Sequence, residues 1–279
     1  MLKKTLLFVS LFSVVFSQGM ATSKLIIAHR GLSGTYPENT MLAFKRALDT
    51  QAQLMELDVH LSSDDQVVVI HDRDLTRTTT GYGNVDARPY SYLQRISAGY
   101  SKKFGWKYYK EKLPTLTQVL DLIEDSKITL LIEIKSHEDG DKKDGDDDET
   151  PKLPYNKRVG PIVYETVMKD HAHLKDRIAF ISFNTEILKE IKKVDPTVSV
   201  GPIFHEMPKD GSSLADQALA LKTDVVIFNK DLLNDPHVFE KTDRVRHFVY
   251  TVDDPAEMKR LMTMKPLAGF ATNYANLVE

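Results

Sequence analysis

The stretch LMELDVHLSSDDQVVVIHD, residues 54–72, decides the fold. It holds two apolar runs, Leu54–Val59 and Val67–Ile70, with little more than Leu61–Gln66 between them. A parallel crossover needs about a dozen residues or more, whereas an antiparallel return does not. The spacing therefore predicts that Val67–Ile70 folds back antiparallel beyond the end of the Leu54–Val59 strand.

Working outward, the same kind of run recurs at Lys24–Ala28, Thr129–Ile134, Ile178–Ser182, Val198–Ile203, Asp224–Phe228, His247–Val252 and Ala268–Thr272. Most are apolar on both faces, as strands buried in a parallel sheet are. With the hairpin strand set aside, eight remain, and helical patterns follow all but one. One helix starts after Asn39, an expected N-cap, and carries Met41, Leu42, Phe44, Ala47 and Leu48. Others run from Thr117, from Glu186 behind an Asn184 cap, and from an Asp254-Pro255-Ala256-Glu257 start. The alternation predicts an α/β fold, a (β/α)8 TIM barrel, as a single domain over residues 22–279. Residues 61–114 are expected as an insertion between the second strand and its helix. Residues 137–155 are expected as a solvated charged loop, since their acidic groups lack the spacing of a calcium loop.

Active sites of such barrels lie at the C-terminal ends of the strands. The first strand ends in His29-Arg30-Gly31, the second in Glu56-Leu57-Asp58, the hairpin strand in His71-Asp72, and the third in Glu133-Ile134-Lys135. Alternate strand residues share a face, so Glu56 and Asp58 point the same way. Two inward carboxylates repel each other and lose hydration, so a positive partner must compensate. Lys135 or Arg30 can do so as a salt bridge. A divalent cation can do so with Glu133 as a third ligand, and three carboxylates suit Ca2+ or Mg2+ rather than zinc or copper.

These motifs, in order with Tyr36-Pro37-Glu38-Asn39-Thr40, Val69-Ile70-His71-Asp72 and Leu113-Pro114-Thr115-Leu116, resemble the glycerophosphodiester phosphodiesterase family across essentially the whole mature chain. The resemblance implies a (β/α)8 barrel and a divalent cation, Ca2+ or Mg2+. It implies that His29 and His71 are the catalytic acid and base, and that Glu56, Asp58 and Glu133 are the metal ligands. Arg30 would bind phosphate and Lys135 would sit beside it, with Glu38 in a supporting place. The implied reaction is hydrolysis of a glycerophosphodiester, a small-molecule substrate, to sn-glycerol 3-phosphate and an alcohol. Two histidines near neutrality suit it, because one can take a proton from the nucleophile while the other protonates the leaving alkoxide.

Two positions depart from the family pattern. Tyr250 stands where tryptophan is usual and keeps an aromatic wall for the substrate. The last strand closes Thr272-Asn273-Tyr274-Ala275 rather than with Thr-Asp and a following proline. Both changes are expected to affect substrate fit more than catalysis. Phe183 is expected either in the pocket wall or in ordinary core packing.

Residues 1–21 carry the order of an export signal: Lys3 and Lys4, an apolar run over Leu6–Phe16, then small residues. That run is shorter than the ~20 residues a membrane span needs. The chain is expected to be exported, to the periplasm or beyond, with no stable span in the mature part. It has no cysteine, which excludes disulfides and thiolate chemistry, and a net charge of −3, which argues against a nucleic-acid partner. Two other functions fit the same barrel: a lysophospholipase D-like activity, and a catalytically silent surface binding protein, against which intact His29 and His71 argue.

Overall fold

A computed structural model describes residues 24–137 and 154–278. The expected export signal and all but the ends of the charged loop lie outside the described residues. Eight parallel strands close on themselves: β1 (Leu25–Ala28), β2 (Leu54–Leu61), β4 (Thr129–Ile134), β5 (Ile178–Ser182), β6 (Ser199–Phe204), β7 (Val225–Asn229), β8 (Arg246–Tyr250) and β9 (Leu267–Thr272). Closure runs through β1, which pairs with β2 on one side (Ile27 with Leu54) and β9 on the other (Ile27 with Ala271). The remaining strand, β3 (Val67–Val69), lies antiparallel on the end of β2, with Val69 opposite Val59 and Val67 opposite Leu61. The hairpin expected from the short spacing is thus present, and β2 runs two residues further than its apolar run in order to make it.

Helices alternate with the barrel strands: α1 (Met41–Leu48), α4 (Leu116–Ile123), α5 (Tyr155–His171), α6 (Thr185–Val194), α7 (Leu214–Ala220) and α8 (Pro255–Met262). Between β7 and β8 the connection is a 3-10 turn, Lys230–Asn234. Most starts are capped as the local residues dictate: Thr115 makes a reciprocal capping box with Gln118, and Asp254 accepts from the Glu257 amide. One expectation fails. Thr40, not Asn39, caps α1 by accepting from the Ala43 amide, and Asn39 adopts φ +56°. That left-handed backbone, which asparagine tolerates better than most residues, sends the Asn39 side chain elsewhere.

Two apolar layers follow from the two-residue period of the strands. Met55, Leu57, Val59 and Leu61 pack outward against the helices, while Leu54 joins Ile27, Leu131, Ile181, Ile227 and Phe248 inside the barrel. The inner layer fills the lower barrel. The next inward positions up β2 and β4 are Glu56, Asp58 and Glu133, all buried. Residues 61–114 leave this frame and return to it where the Val69 amide meets the Pro114 carbonyl at 2.9 Å. They include α2 (Tyr90–Leu93) and α3 (Ser101–Phe104), and enclose a small core of their own around Val68, Leu75, Val85 and Leu93.

Candidate active site

Above the apolar floor lies a cavity of about 230 Å3, lined on one side by His29, Arg30, Glu56, His71, Glu133 and Lys135 and on the other by Phe183, His205 and Tyr250. Every residue expected to carry chemistry therefore reaches one space, apart from Asp58, which lies fully buried just behind it.

Each of the three carboxylates offers an oxygen within 4.8 Å of the other two. Asp58 is held hardest. Lys135 Nζ lies 2.8 Å from its Oδ1, Arg30 Nε 3.2 Å from its Oδ2, and Asn39 Nδ2 donates to that same Oδ2 at 2.8 Å. Burial raises its proton affinity, but Lys135 and Arg30 together outweigh this and hold the carboxyl well below the usual range. Glu56 accepts the Arg30 amide at 2.9 Å, yet burial, then Asp58 and Glu133, push it well above the usual carboxylate range. Glu133 pairs with Lys135 Nζ. The ammonium of Lys135 stays protonated, because those two carboxylates outweigh the burial that opposes its charge.

This geometry passes a test for a cation. Buried polar atoms normally find partners, but Glu56 Oε1 makes no hydrogen bond, and the contact of Asp58 Oδ1 is the Lys135 ammonium at 2.8 Å. A hard divalent cation takes such oxygens. The triad can hold one, with Lys135 as the competing internal charge.

The two histidines have different partners. His29 Nδ1 lies 2.8 Å from Asn273 Oδ1. Asn273 Nδ2 donates to Asp253 Oδ2 at 2.6 Å, and a carboxylate only accepts, so the amide oxygen must face the ring and His29 Nδ1 must be the donor; Ser33 Oγ lies 2.7 Å from the same oxygen. Nε2 is left toward Glu56, at 3.9 Å. Burial, then the Arg30 charge, lowers the His29 pKa to about 4, so the ring is neutral at pH 7. His71 Nδ1 instead meets the carboxylate of Asp72 at 2.6 Å. Burial opposes ionisation of Asp72, but Arg77 and His71 prevail and lower its pKa to about 2.

Glu38 joins the two halves. It accepts from Arg30 Nη1 at 2.9 Å and from Arg77 at 2.8 and 3.0 Å, while Arg77 Nε pairs with Asp72. The backbone of Arg30 is itself left-handed, φ +55°, and Gly31 follows at +76° against the backbone of Ala43, where no side chain fits. This turn lets the Arg30 amide and its guanidinium both serve the carboxylates.

Opposite, the Phe183 and His205 rings stack at 4.3 Å, and Tyr250 Oη meets His205 Nδ1 at 2.7 Å. Phe183 and Tyr250 are pocket wall. His205 is a residue that the sequence motifs miss, although its parity with the inward-facing Ile203 marks it. Asn273 departs from its expected place: it stands behind His29 rather than against the substrate.

The family model for the glycerophosphoryl diester phosphodiesterase family matches residues 29–276. The chain belongs to this family. With membership comes the class of enzyme, a phosphoric diester hydrolase acting on a small molecule. A glycerophosphodiester phosphodiesterase of Caldanaerobacter subterraneus is 33% identical over 242 residues, covering 85% of this chain and 89% of that protein. One from Bacillus subtilis is 29% identical, covering 91% and 84%. Among solved structures, an Oleispira antarctica phosphodiesterase in complex with the product sn-glycerol-3-phosphate superposes with a TM-score of 0.78 at 24% identity, covering 96% of this chain and 97% of that one. A Parabacteroides distasonis glycerophosphodiester phosphodiesterase gives 0.68 at 26% identity, covering 91% and 94%.

Proposed function

We propose that this chain hydrolyses glycerophosphodiesters to sn-glycerol 3-phosphate and an alcohol, by general acid–base catalysis at a divalent cation, Ca2+ or Mg2+, held by Glu56, Asp58 and Glu133. We place the reaction after export, in the periplasm or outside the cell, on the strength of the order of residues 1–21. The observation that carries the reading is one cavity into which His29 and His71 reach with different partners, an amide and a carboxylate, over a carboxylate triad in which Glu56 Oε1 has no partner.

When bound, the cation supplies fixed positive charge for the phosphoryl oxygens. The side chains do the rest. Arg30 and Lys135, already fixed by Asp58, add positive charge where negative charge grows on phosphorus-bound oxygen. His29 is neutral with Nε2 free, so it takes the proton from the attacking hydroxyl, either the neighbouring glycerol hydroxyl or water. His71, with an anionic partner in Asp72, can carry the matching proton and deliver it to the leaving alkoxide as the P–O bond breaks. If a cyclic phosphate forms first, water opens it with the two roles exchanged. Phe183, His205 and Tyr250 offer an aromatic wall for the organic part.

The test is release of glycerol 3-phosphate from glycerophosphocholine, with EDTA and with Ca2+ or Mg2+ restored. Product that appears only with the cation supports the reading; absence of product in either state sinks it. Product indifferent to EDTA removes the cation from it. The start residue of protein recovered from the periplasm, near 22 if export is right, tests the location.

A further inference from the structure

Residues 101–112, SKKFGWKYYKEK, contain five lysines and one acidic residue, Glu111, in a chain whose net charge is −3. Elsewhere on the surface lysines with carboxylate partners (Lys175 with Asp195, Lys189 with Glu186, Lys193 with Glu190, Lys230 with Glu257) are interspersed with lysines that form no ion pair among the described residues, such as Lys45, Lys127 and Lys169. What sets residues 101–112 apart is five such lysines in one short segment. Lys102, Lys103, Lys107, Lys110 and Lys112 are all exposed. None of the five forms an ion pair among the described residues. Lys103 and Lys112 reach backbone carbonyls instead, and Lys107 lies over the Tyr108 ring at 4.8 Å.

The same segment exposes aromatic surface. Trp106, the only tryptophan of the chain, is 72% exposed, and Tyr109, 53% exposed, meets it edge-on at 5.4 Å. Gly105, at φ +60°, turns the chain just before Trp106, with open space where a side chain would start. The patch stands beside the active-site mouth. Lys103 Nζ donates to the Ser33 carbonyl at 3.1 Å, and Ser33 Oγ lies 2.6 Å from the His29 carbonyl. Tyr108 packs on Tyr36 of the same loop, with ring centroids 6.0 Å apart.

Exposed tryptophan and tyrosine among unpaired lysines are the chemistry of a lipid–water interface: the rings sit at headgroup depth while the ammonium groups meet anionic headgroups. A nucleic-acid surface would favour arginine, and this segment has none. The rest of the chain is net acidic, so residues 101–112 are the part that an anionic surface attracts. We propose that residues 101–112 dock the barrel mouth onto a membrane surface rich in anionic phospholipid, so that the enzyme works beside the lipids whose deacylation releases its glycerophosphodiester substrates. Docking stands on the surface alone; the benefit to catalysis rests on the phosphodiesterase reading.

Because Trp106 is the sole tryptophan, its emission reports on the patch directly. The full chain is mixed with phosphatidylcholine vesicles, with or without phosphatidylglycerol, some carrying brominated acyl chains. Expected are a blue shift and bromine quenching with the anionic vesicles only, both reversed by added salt. The variant Lys102→Ala/Lys107→Ala/Lys110→Ala should lose roughly a hundredfold in partitioning, at about fivefold per lysine. Its turnover of soluble glycerophosphocholine should be unchanged, which shows it is folded. Vesicle binding with unshifted Trp106 emission would mean that the apolar Leu6–Phe16 run is the anchor, and would overturn the proposal. So would a shift with heparin or an oligonucleotide but none with vesicles, or no shift at all in protein that turns over the soluble substrate. If the variant and wild type bind vesicles equally, the lysines have no part and the proposal fails. Loss of soluble turnover in every sample counts instead against the phosphodiesterase reading.

Discussion

Asn273 Oδ1 lies 2.8 Å from His29 Nδ1, an uncharged amide where His71 has the carboxylate of Asp72. The contact fixes the ring's tautomer without adding negative charge to it. Asn273→Ala should therefore lower kcat by about 10- to 100-fold, the scale on which loss of a partner that orients a functional imidazole is felt, with KM little changed. Asn273→Asp should keep the orientation but add an anion that favours protonated His29. The acid limb of its pH–kcat/KM profile should move to higher pH. An unmoved limb would show that the amide only fills space.

Glu38 bridges two guanidiniums, Arg30 and Arg77. Burial works against its ionisation, but Arg77 and Arg30 overcome this and lower its pKa. Glu38→Ala would leave both cations partly buried without that partner. Breaking such a pair costs about 3–5 kcal/mol when fully buried, and somewhat less here, where part of the network is wet. Urea denaturation should show a loss of about 2–3 kcal/mol. KM should rise as well, since Arg30 loses one of its anchors. A KM unaffected in the folded variant would detach Glu38 from phosphate binding.

Much of this site follows from short-range rules. The tight spacing before Val67 implied the hairpin, and the two-residue period put Glu56, Asp58 and Glu133 inside. What could not be read depends on closure or on irregular backbone. Asn273 meets His29 only because β9 lies beside β1 in the closed barrel, 244 positions away in sequence. Asn39 looked like a helix cap, because nothing local announces that φ +56° will turn it toward Asp58 and leave the cap to Thr40. Arg77 sits in a segment without periodicity, where no pattern ties it to Asp72 and Glu38. His205 carries the inward parity of β6 but lies past the strand's end, where that parity usually lapses.

Cation binding should depend on pH through Glu56. Burial, Asp58 and Glu133 raise its pKa, so without a cation it keeps its proton to higher pH than a free carboxyl. Binding must displace that proton. Calorimetry in buffers of different ionisation enthalpy should detect proton release, and affinity should weaken by up to tenfold for each pH unit below the raised pKa. Glu56→Gln should bind the cation weakly and without proton release. Equal proton release in wild type and Glu56→Gln would assign the proton to another group.

Acid should destabilise the fold through His247, far from the cation site. Its ring is wholly buried, with Phe228 and Phe239 nearby at 6.3 and 5.7 Å, and its Nδ1 lies 2.9 Å from the Val245 carbonyl. Burial lowers its pKa in spite of backbone hydrogen bonds that act the other way. The sign follows. In the unfolded chain the ring takes a proton near pH 6.5, whereas the folded protein resists it until lower pH. Between those values the unfolded state binds more protons, so stability is full above about 6.5 and falls as pH drops through the window. His247→Phe loses the hydrogen bond, so it should be less stable than wild type at neutral pH. It has no proton to bind, so the difference in Tm should narrow as pH falls below about 6.5. Melting curves of both proteins across this range provide the check, and a difference in Tm that stays constant with pH would show that His247 titrates alike in the folded and unfolded states.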